Sequence, residues 1–267
     1  IVNNYFDYFD NGIMPNLEEN FILFNEVLFS GTDREVFLCE ILIALIKKKV
    51  LDSALNLLPY YTGLPKQQWL DEISKNHRLT ELWPSQKRLG ENGFFNSRSG
   101  IVQMPTSSGK TTGISIMFQT MFLKKSGTIG IVIAPFRALC KEISRDLDNY
   151  FINNTNIKVM EIFDVPDKTD ITWFSERDEN IIFVITPEKL LYLLRLDVTI
   201  LEKIELLIFD EAHLFDDPHR GTKYELLIAT IKKFLAEFAQ IVLISAVIPN
   251  ADTINDWINN GKGVVVA

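Results

Sequence analysis

The stretch Met104-Pro105-Thr106-Ser107-Ser108-Gly109-Lys110-Thr111 lies between a short apolar run and a helical pattern. Small residues at that junction let successive backbone N–H groups curl around a phosphate. Thr106, Ser107, Ser108 and Gly109 would form such a cradle, and Lys110 would neutralise the β- and γ-phosphates. The Thr111 hydroxyl would sit on Mg²⁺. Met104 stands where a phosphate loop usually opens with glycine, and an ordinary Ser/Gly-rich turn is the alternative reading.

A second stretch completes the chemistry. Leu206-Leu207-Ile208-Phe209 reads as a buried strand and runs into Asp210-Glu211-Ala212-His213, about 100 residues after Lys110. An acid at the end of such a strand can hold Mg²⁺ through water beside the phosphates, which is the role open to Asp210. Glu211 can orient or deprotonate an attacking water. A helix N-terminus that happens to be acidic would explain one carboxylate. It does not explain a pair following a phosphate loop, each after its own strand.

These residues need strands to carry them. Apolar runs occur at 101–104, 129–134, 157–163, 181–186, 206–210, 241–245 and 264–266, with helical patterns between most of them at 111–124, 136–150, 187–196, 224–238 and 251–258. Strands buried on both faces by flanking helices look like this, so the expected fold is α/β with a mainly parallel sheet. Ligands then bind at the C-terminal ends of the strands.

Residues 1–65 differ in texture. Phe21, Phe24 and Leu28 follow one helical stripe, and Val36, Cys39, Ile43, Ile46 and Val50 another. Thr32 or Asp33 is placed to cap the second helix, and Val36–Ile46 reads as buried. The expected division is a helical accessory segment at 1–65 and an α/β domain at 66–267.

The chain has 267 residues, 47% of them apolar, and a net charge of −8. That excludes a disordered tail and a basic nucleic-acid coat protein, but not local strand binding. Cys39 and Cys140 can build neither a disulfide framework nor a zinc site, and each is expected to pack as a small hydrophobe. No apolar run approaches the ~20 residues of a membrane span, so no membrane partner is expected.

Asp-Glu-Ala-His after a phosphate loop resembles motif II of the superfamily 2 helicases of the DEAD/DEAH type. The resemblance runs from about Trp69 to the end and implies a first RecA-like, ATP-binding domain. Trp83-Pro84-Ser85-Gln86 resembles the Q motif, in which Gln86 would bond the adenine edge. Ala134-Pro135-Phe136-Arg137-Ala138-Leu139 resembles motif Ia, which implies a strand-phosphate contact for Arg137. Ile185-Thr186-Pro187-Glu188-Lys189-Leu190 is similar to the family's T-P-E-K-L segment. Thr186 would touch the nucleic-acid backbone there, a role compatible with capping the next helix. Ser245-Ala246-Val247 occupies the place of motif III, which implies a coupling role for Ser245 and Ala246. Arg220-Gly221, Tyr224–Leu227, Ile248-Pro249-Asn250 and Trp257-Ile258 resemble the Ski-like branch, which includes exosome-associated RNA helicases and archaeal DNA-repair helicases.

There are departures. Motif III normally ends in Thr, and Val247 lacks that hydroxyl. Phe163-Asp164-Val165-Pro166 stands where a small glycine-containing motif is expected. Trp69 has two readings, a stacking platform for adenine and a core tryptophan. His213 has a structural reading, packed against the motif III turn. No paired-arginine segment follows Val247, so a second RecA-like domain, C-terminal in the same protein, is the expected partner of the site.

The resemblance therefore implies an intracellular, cytoplasmic or nuclear enzyme that uses ATP and Mg²⁺. It would move along or unwind single-stranded or partly duplex DNA or RNA, and this chain alone would hydrolyse ATP weakly. The alternatives are a translocase subunit of a restriction or phage-defence system, and a degenerate scaffold that binds nucleotide without unwinding.

Overall fold

A computed structural model describes residues 17–75, 79–105, 108–162, 179–216, 221–235 and 238–267. Thr106 and Ser107 of the expected phosphate cradle lie outside the described residues, as do Phe163-Asp164-Val165-Pro166 and Arg220.

The chain divides into two units, residues 1–82 and 83–267. The first is helical: α1 (Leu17–Ser30), α2 (Asp33–Leu51), α3 (Ala54–Thr62) and α4 (Lys66–Lys75). Thr32 begins α2, and its backbone N–H donates to Glu35 Oε2 at 2.8 Å. That satisfies one of the donors a helix start leaves open. Ser53 Oγ accepts from the Asn56 N–H at the start of α3.

The compact units divide at 82/83, further along the chain than the 65/66 expected from the breakers. Pro59 and Gly63 end α3, but the chain turns back and packs α4 against it. Trp69 of α4 is 0% exposed, and its Nε1–H donates to Thr62 Oγ1 at 2.9 Å. That bond and the shared core of Leu55, Leu58, Trp69 and Ile73 keep residues 66–82 with the helical unit. The expectation of a buried 36–46 helix is corrected. The helix forms, but Phe37, Leu38, Ile41, Leu42 and Leu45 are exposed, while Val36, Cys39, Ile43 and Ile46 are partly covered and Val50 is buried. Within this unit α2 carries two apolar stripes, and only the 36-39-43-46-50 stripe is screened from water.

The second unit opens with α5 (Pro84–Glu91). It continues with β1 (Gly100–Gln103), α6 (Lys110–Lys124), β2 (Ile129–Ile133), α7 (Arg137–Tyr150), β3 (Ile157–Glu161), β4 (Asn180–Ile185) and α8 (Pro187–Leu196). Then come β5 (Ile204–Asp210), α9 (Gly221–Phe234), β6 (Gln240–Ser245), α10 (Ala251–Asn259) and β7 (Val264–Val266). Among the described residues the sheet has seven strands in the order β3-β4-β2-β5-β6-β1-β7, with every pairing parallel. This is the expected α/β architecture, a RecA-like parallel sheet flanked by helices.

Both faces of the central strands are covered, which is why β2, β4, β5 and β6 read as nearly continuous apolar runs, while β3 at the sheet edge carries Lys158 and Glu161. Ile131, Phe183, Leu207 and Leu243 face a core shared with α8, α9 and α10. On the other face β2 meets α6 so closely that a Cβ at Gly130 would lie 2.2 Å from Phe118 Cε1. The strand there tolerates only hydrogen.

Strand register positions the site. Gln103 pairs with Ser245, Asp210 with Ile244, and Ile133 with both Phe209 and Ile185. The C-terminal ends of β1, β6, β5, β2 and β4 therefore lie in one row. Everything that follows those ends in sequence emerges along the same edge.

Candidate nucleotide and nucleic-acid site

The phosphate-loop candidate leaves β1 at this edge. Met104 N–H donates to Ser245 C=O at 2.8 Å, extending the β1–β6 pairing by one bond. The loop enters α6 through Gly109, whose φ of +83° is a left-handed conformation that glycine adopts without strain. A Cβ there would also lie 2.6 Å from Gln86 Nε2.

Helix α5 braces the loop. Ser85 Oγ donates to the Ser108 carbonyl, and Gln86 Nε2 donates to the Gly109 carbonyl at 3.3 Å. Gln86 Oε1 accepts from the Trp83 N–H at 2.9 Å. The resemblance assigns the Gln86 amide to an adenine edge, and here it ties the loop to its own helix. A carboxamide has two donors and two acceptor sites, so these two bonds leave one of each unused on the buried side chain. Sequence reasoning gives Ser85 no role, and only its place beside Gln86 could have pointed to it. Trp69 is settled as a core residue of the helical unit. The half-exposed indole of Trp83 instead stands near Gly109, its Cε3 3.5 Å from where a Cβ would be.

Lys110 opens α6 and reaches across β6 to the end of β5. Its Nζ lies 2.7 Å from Asp210 Oδ1 and 3.0 Å from Glu211 Oε1. Neighbouring strands are about 4.8 Å apart, so β1 and β5 are separated by roughly 10 Å, and a long flexible cation can close that gap. Burial alone would lower the Lys110 pKa, but Asp210 and Glu211 outweigh it and hold the ammonium above its usual value. Burial pushes the Asp210 carboxyl up, against the pull of Lys110.

Asp210 is 1% exposed, and among the described residues its buried Oδ2 has no hydrogen-bond partner. A buried carboxylate oxygen without a donor is costly unless a cation or its water meets it. The residues present therefore fit a hard divalent cation, with Thr111 on the adjoining first turn of α6. Glu211 follows with φ +53°, a backbone strain that a non-glycine residue holds only where its surroundings impose it. His213 Nδ1 lies 3.0 Å from Ser245 Oγ and 3.2 Å from Glu211 Oε2.

The remaining residues line the same edge. Arg137 is exposed in the first turn of α7 after β2. Thr186 is the N-cap residue of α8 after β4, with Pro187 at the first helical position, and its hydroxyl makes no capping hydrogen bond. Ser245 is buried at the end of β6, and the exposed Ala246 and Val247 follow it.

Residues 83–254 match the DEAD/DEAH box helicase family. This chain belongs to that family. Among curated relatives of this helicase-family chain, the Hachiman protein HamB of Bacillus cereus is 31% identical over 187 residues, covering 70% of this chain and 16% of HamB. The ATP-dependent DNA helicase Hel308 of Thermococcus kodakarensis is 26% identical over 196 residues, 73% of this chain and 16% of that protein. Hel308 of Pyrococcus horikoshii is 28% identical, over 71% of this chain and 25% of its own length. The chain thus spans a quarter or less of these relatives. S. cerevisiae Dbp5, solved bound to RNA and ADP BeF3, superposes with a TM-score of 0.59 at 21% identity. The match covers 75% of this chain and 49% of that one, a likeness of fold. Among the described residues, no helix is long and apolar enough to cross a membrane.

Proposed function

We propose that residues 83–267 are the ATP-binding motor domain of a nucleic-acid-dependent ATPase, which couples hydrolysis to movement along, or unwinding of, DNA or RNA. The observation that carries this reading is the Lys110 ammonium bridging Asp210 and Glu211 at the mouth of the loop. A cation held by two acids at a phosphate loop is poised to exchange them for phosphate oxygens.

In this reading the loop up to Gly109 and the Gln86 amide bind the nucleotide, with Thr106 and Ser107 completing the cradle. Mg²⁺ would be held by Thr111 and, through water, by Asp210, and it supplies charge neutralisation on the β- and γ-phosphates. Lys110 leaves the acids for the same phosphates. Glu211 accepts a proton from water as the water oxygen bonds to the γ-phosphorus. The bond from that phosphorus to the β–γ bridging oxygen breaks, giving ADP and inorganic phosphate. Arg137 and Thr186 meet the strand backbone, so binding is largely sequence-independent. Ser245 and Ala246 link the two sites. A second RecA-like domain in the same protein supplies the arginines that stabilise the transferring phosphate. A motor that runs on ATP would work inside the cell.

The test is ATP turnover by the intact protein with and without single-stranded DNA or RNA. Stimulation by a strand is expected, and Glu211→Gln should keep nucleotide binding while lowering turnover by about 10²–10⁴. Wild-type turnover in Glu211→Gln would refute the assignment. The likeness to HamB favours a second reading, a translocase subunit of a restriction or phage-defence system. Phage plating on cells with the wild-type protein and with Lys110→Ala separates the two. Lysine-dependent protection supports the defence role.

A further inference from the structure

We propose that the exposed apolar stripe of α2 is a self-association surface, on which a second copy of this chain docks antiparallel through the same stripe.

The stripe is Phe37, Leu38, Ile41, Leu42 and Leu45, each between 39% and 60% exposed. Spacing by three and four residues keeps these side chains on one face, as in the seam of a helix pair. They leave roughly 400–500 Å² uncovered per copy, so two copies face to face approach about the 1,000 Å² of a specific interface. Single exposed leucines are ordinary on a protein surface, but a contiguous row of this size marks an association surface.

Charge selects the occupant. Asp33 and Glu35 stand at the start of the helix, and Lys47, Lys48 and Lys49 at its end. Arg34 offsets one of the acids and Asp52 one of the lysines, which leaves the start net acidic and the end net basic. Glu35 is anchored at its end, because the Thr32 N–H and hydroxyl both donate to its Oε2 at 2.8 Å. Lys49 pairs with Glu81 of its own copy, and Lys48 is exposed in the same turn.

The pattern is also symmetric. The midpoint of the stripe falls between Ile41 and Leu42. Leu38 and Leu45 lie equally far on either side of it, and so do Glu35 and Lys48. A two-fold axis through that midpoint sets Leu38 of one copy against Leu45 of the other, and Glu35 against Lys48. Each contact is then made twice. A parallel pair would instead set lysine against lysine.

The test is the oligomeric state of the intact protein, by sedimentation velocity from about 0.1 to 50 µM. The variants are Leu45→Glu, Glu35→Lys, Lys48→Glu and the double variant Glu35→Lys/Lys48→Glu. Wild type should dimerise. Leu45→Glu buries an unpaired charge in the interface and should raise Kd at least about 100-fold, with Tm unchanged. Each single swap opposes like charges twice per dimer and should raise Kd about 5–30-fold, less at high salt. The double variant opposes unlike charges again and should recover most of the affinity. If Glu35→Lys does not fold for want of its Thr32 contacts, Leu38→Glu mixed with Leu45→Lys makes the same comparison. Each is impaired alone, and only the mixture pairs the new charges. A wild-type monomer throughout, a dimer indifferent to Leu45→Glu, or no recovery in the double variant and the mixture overturns the proposal. A monomer whose Tm falls in Leu45→Glu overturns it as well, because the stripe is then covered within one copy.

Discussion

Replacing Lys110 by alanine should destabilise the protein before any substrate is added, and by an amount that depends on pH. The Lys110 side chain is 12% exposed, Asp210 1% and Glu211 19%. Removing one partner of a buried ion pair costs about 3–5 kcal/mol, because the other charge stays buried without compensation. Glu211 keeps some hydration and Asp210 can take up a proton, so the lower end applies. About 3 kcal/mol corresponds to a fall in Tm of roughly 6–12 °C for a domain of this size. The pH dependence follows from Asp210, whose carboxyl burial already pushes up. Without Lys110 it rises further. A carboxylate whose folded-state pKa lies above its unfolded value penalises folding as pH climbs past the unfolded value, and the penalty disappears as pH falls. The Lys110 ammonium is raised instead, so its stabilising effect is present throughout this range. The gap between wild type and Lys110→Ala should therefore widen from pH 5 to pH 8. Thermal unfolding followed by tryptophan fluorescence measures it, and adding Asp210→Asn to Lys110→Ala should return most of the stability with none of the turnover. A variant as stable as wild type at pH 8, or a gap that does not change with pH, refutes the argument.

Two further outcomes are expected. Gly109→Ala should cost about 1–2 kcal/mol for a left-handed alanine and about 1 more for the displaced Gln86 amide, and it should weaken nucleotide binding at least about tenfold. Titration with a fluorescent ATP analogue checks this, and wild-type affinity would count against the bracing role of α5. Burial pushes the Cys140 thiol up to about 12, so a maleimide at pH 8 should label Cys39 first and Cys140 only on unfolding. Mass spectrometry of the labelled native chain showing equal rates at both positions would contradict that.

Local signals in the sequence are enough for the elements and for the polar centre. The apolar runs mark the described strands because the central strands, covered on both faces, leave little polar alternation to blur them. Gly109-Lys110-Thr111 and Asp210-Glu211 are legible because each follows a strand directly, and a parallel sheet brings such ends to one edge. The domain boundary was less legible. Pro59 and Gly63 are strong breakers, but they end a helix without ending a unit, because Trp69 folds back onto Thr62. The exposed stripe of α2 was hidden for a related reason: apolar spacing shows that a face could be buried, not that anything covers it.

The sequence by itself determined the chemistry available, a phosphate loop, two acids, and the candidate strand contacts Arg137 and Thr186 in a family order. Strand order was decided only by the fold. Placing β6 between β1 and β5 sets Lys110 within reach of both acids and brings Ser245 beside His213. That placement depends on pairing partners far apart in the chain, chosen by packing on both sheet faces, and no local spacing encodes it.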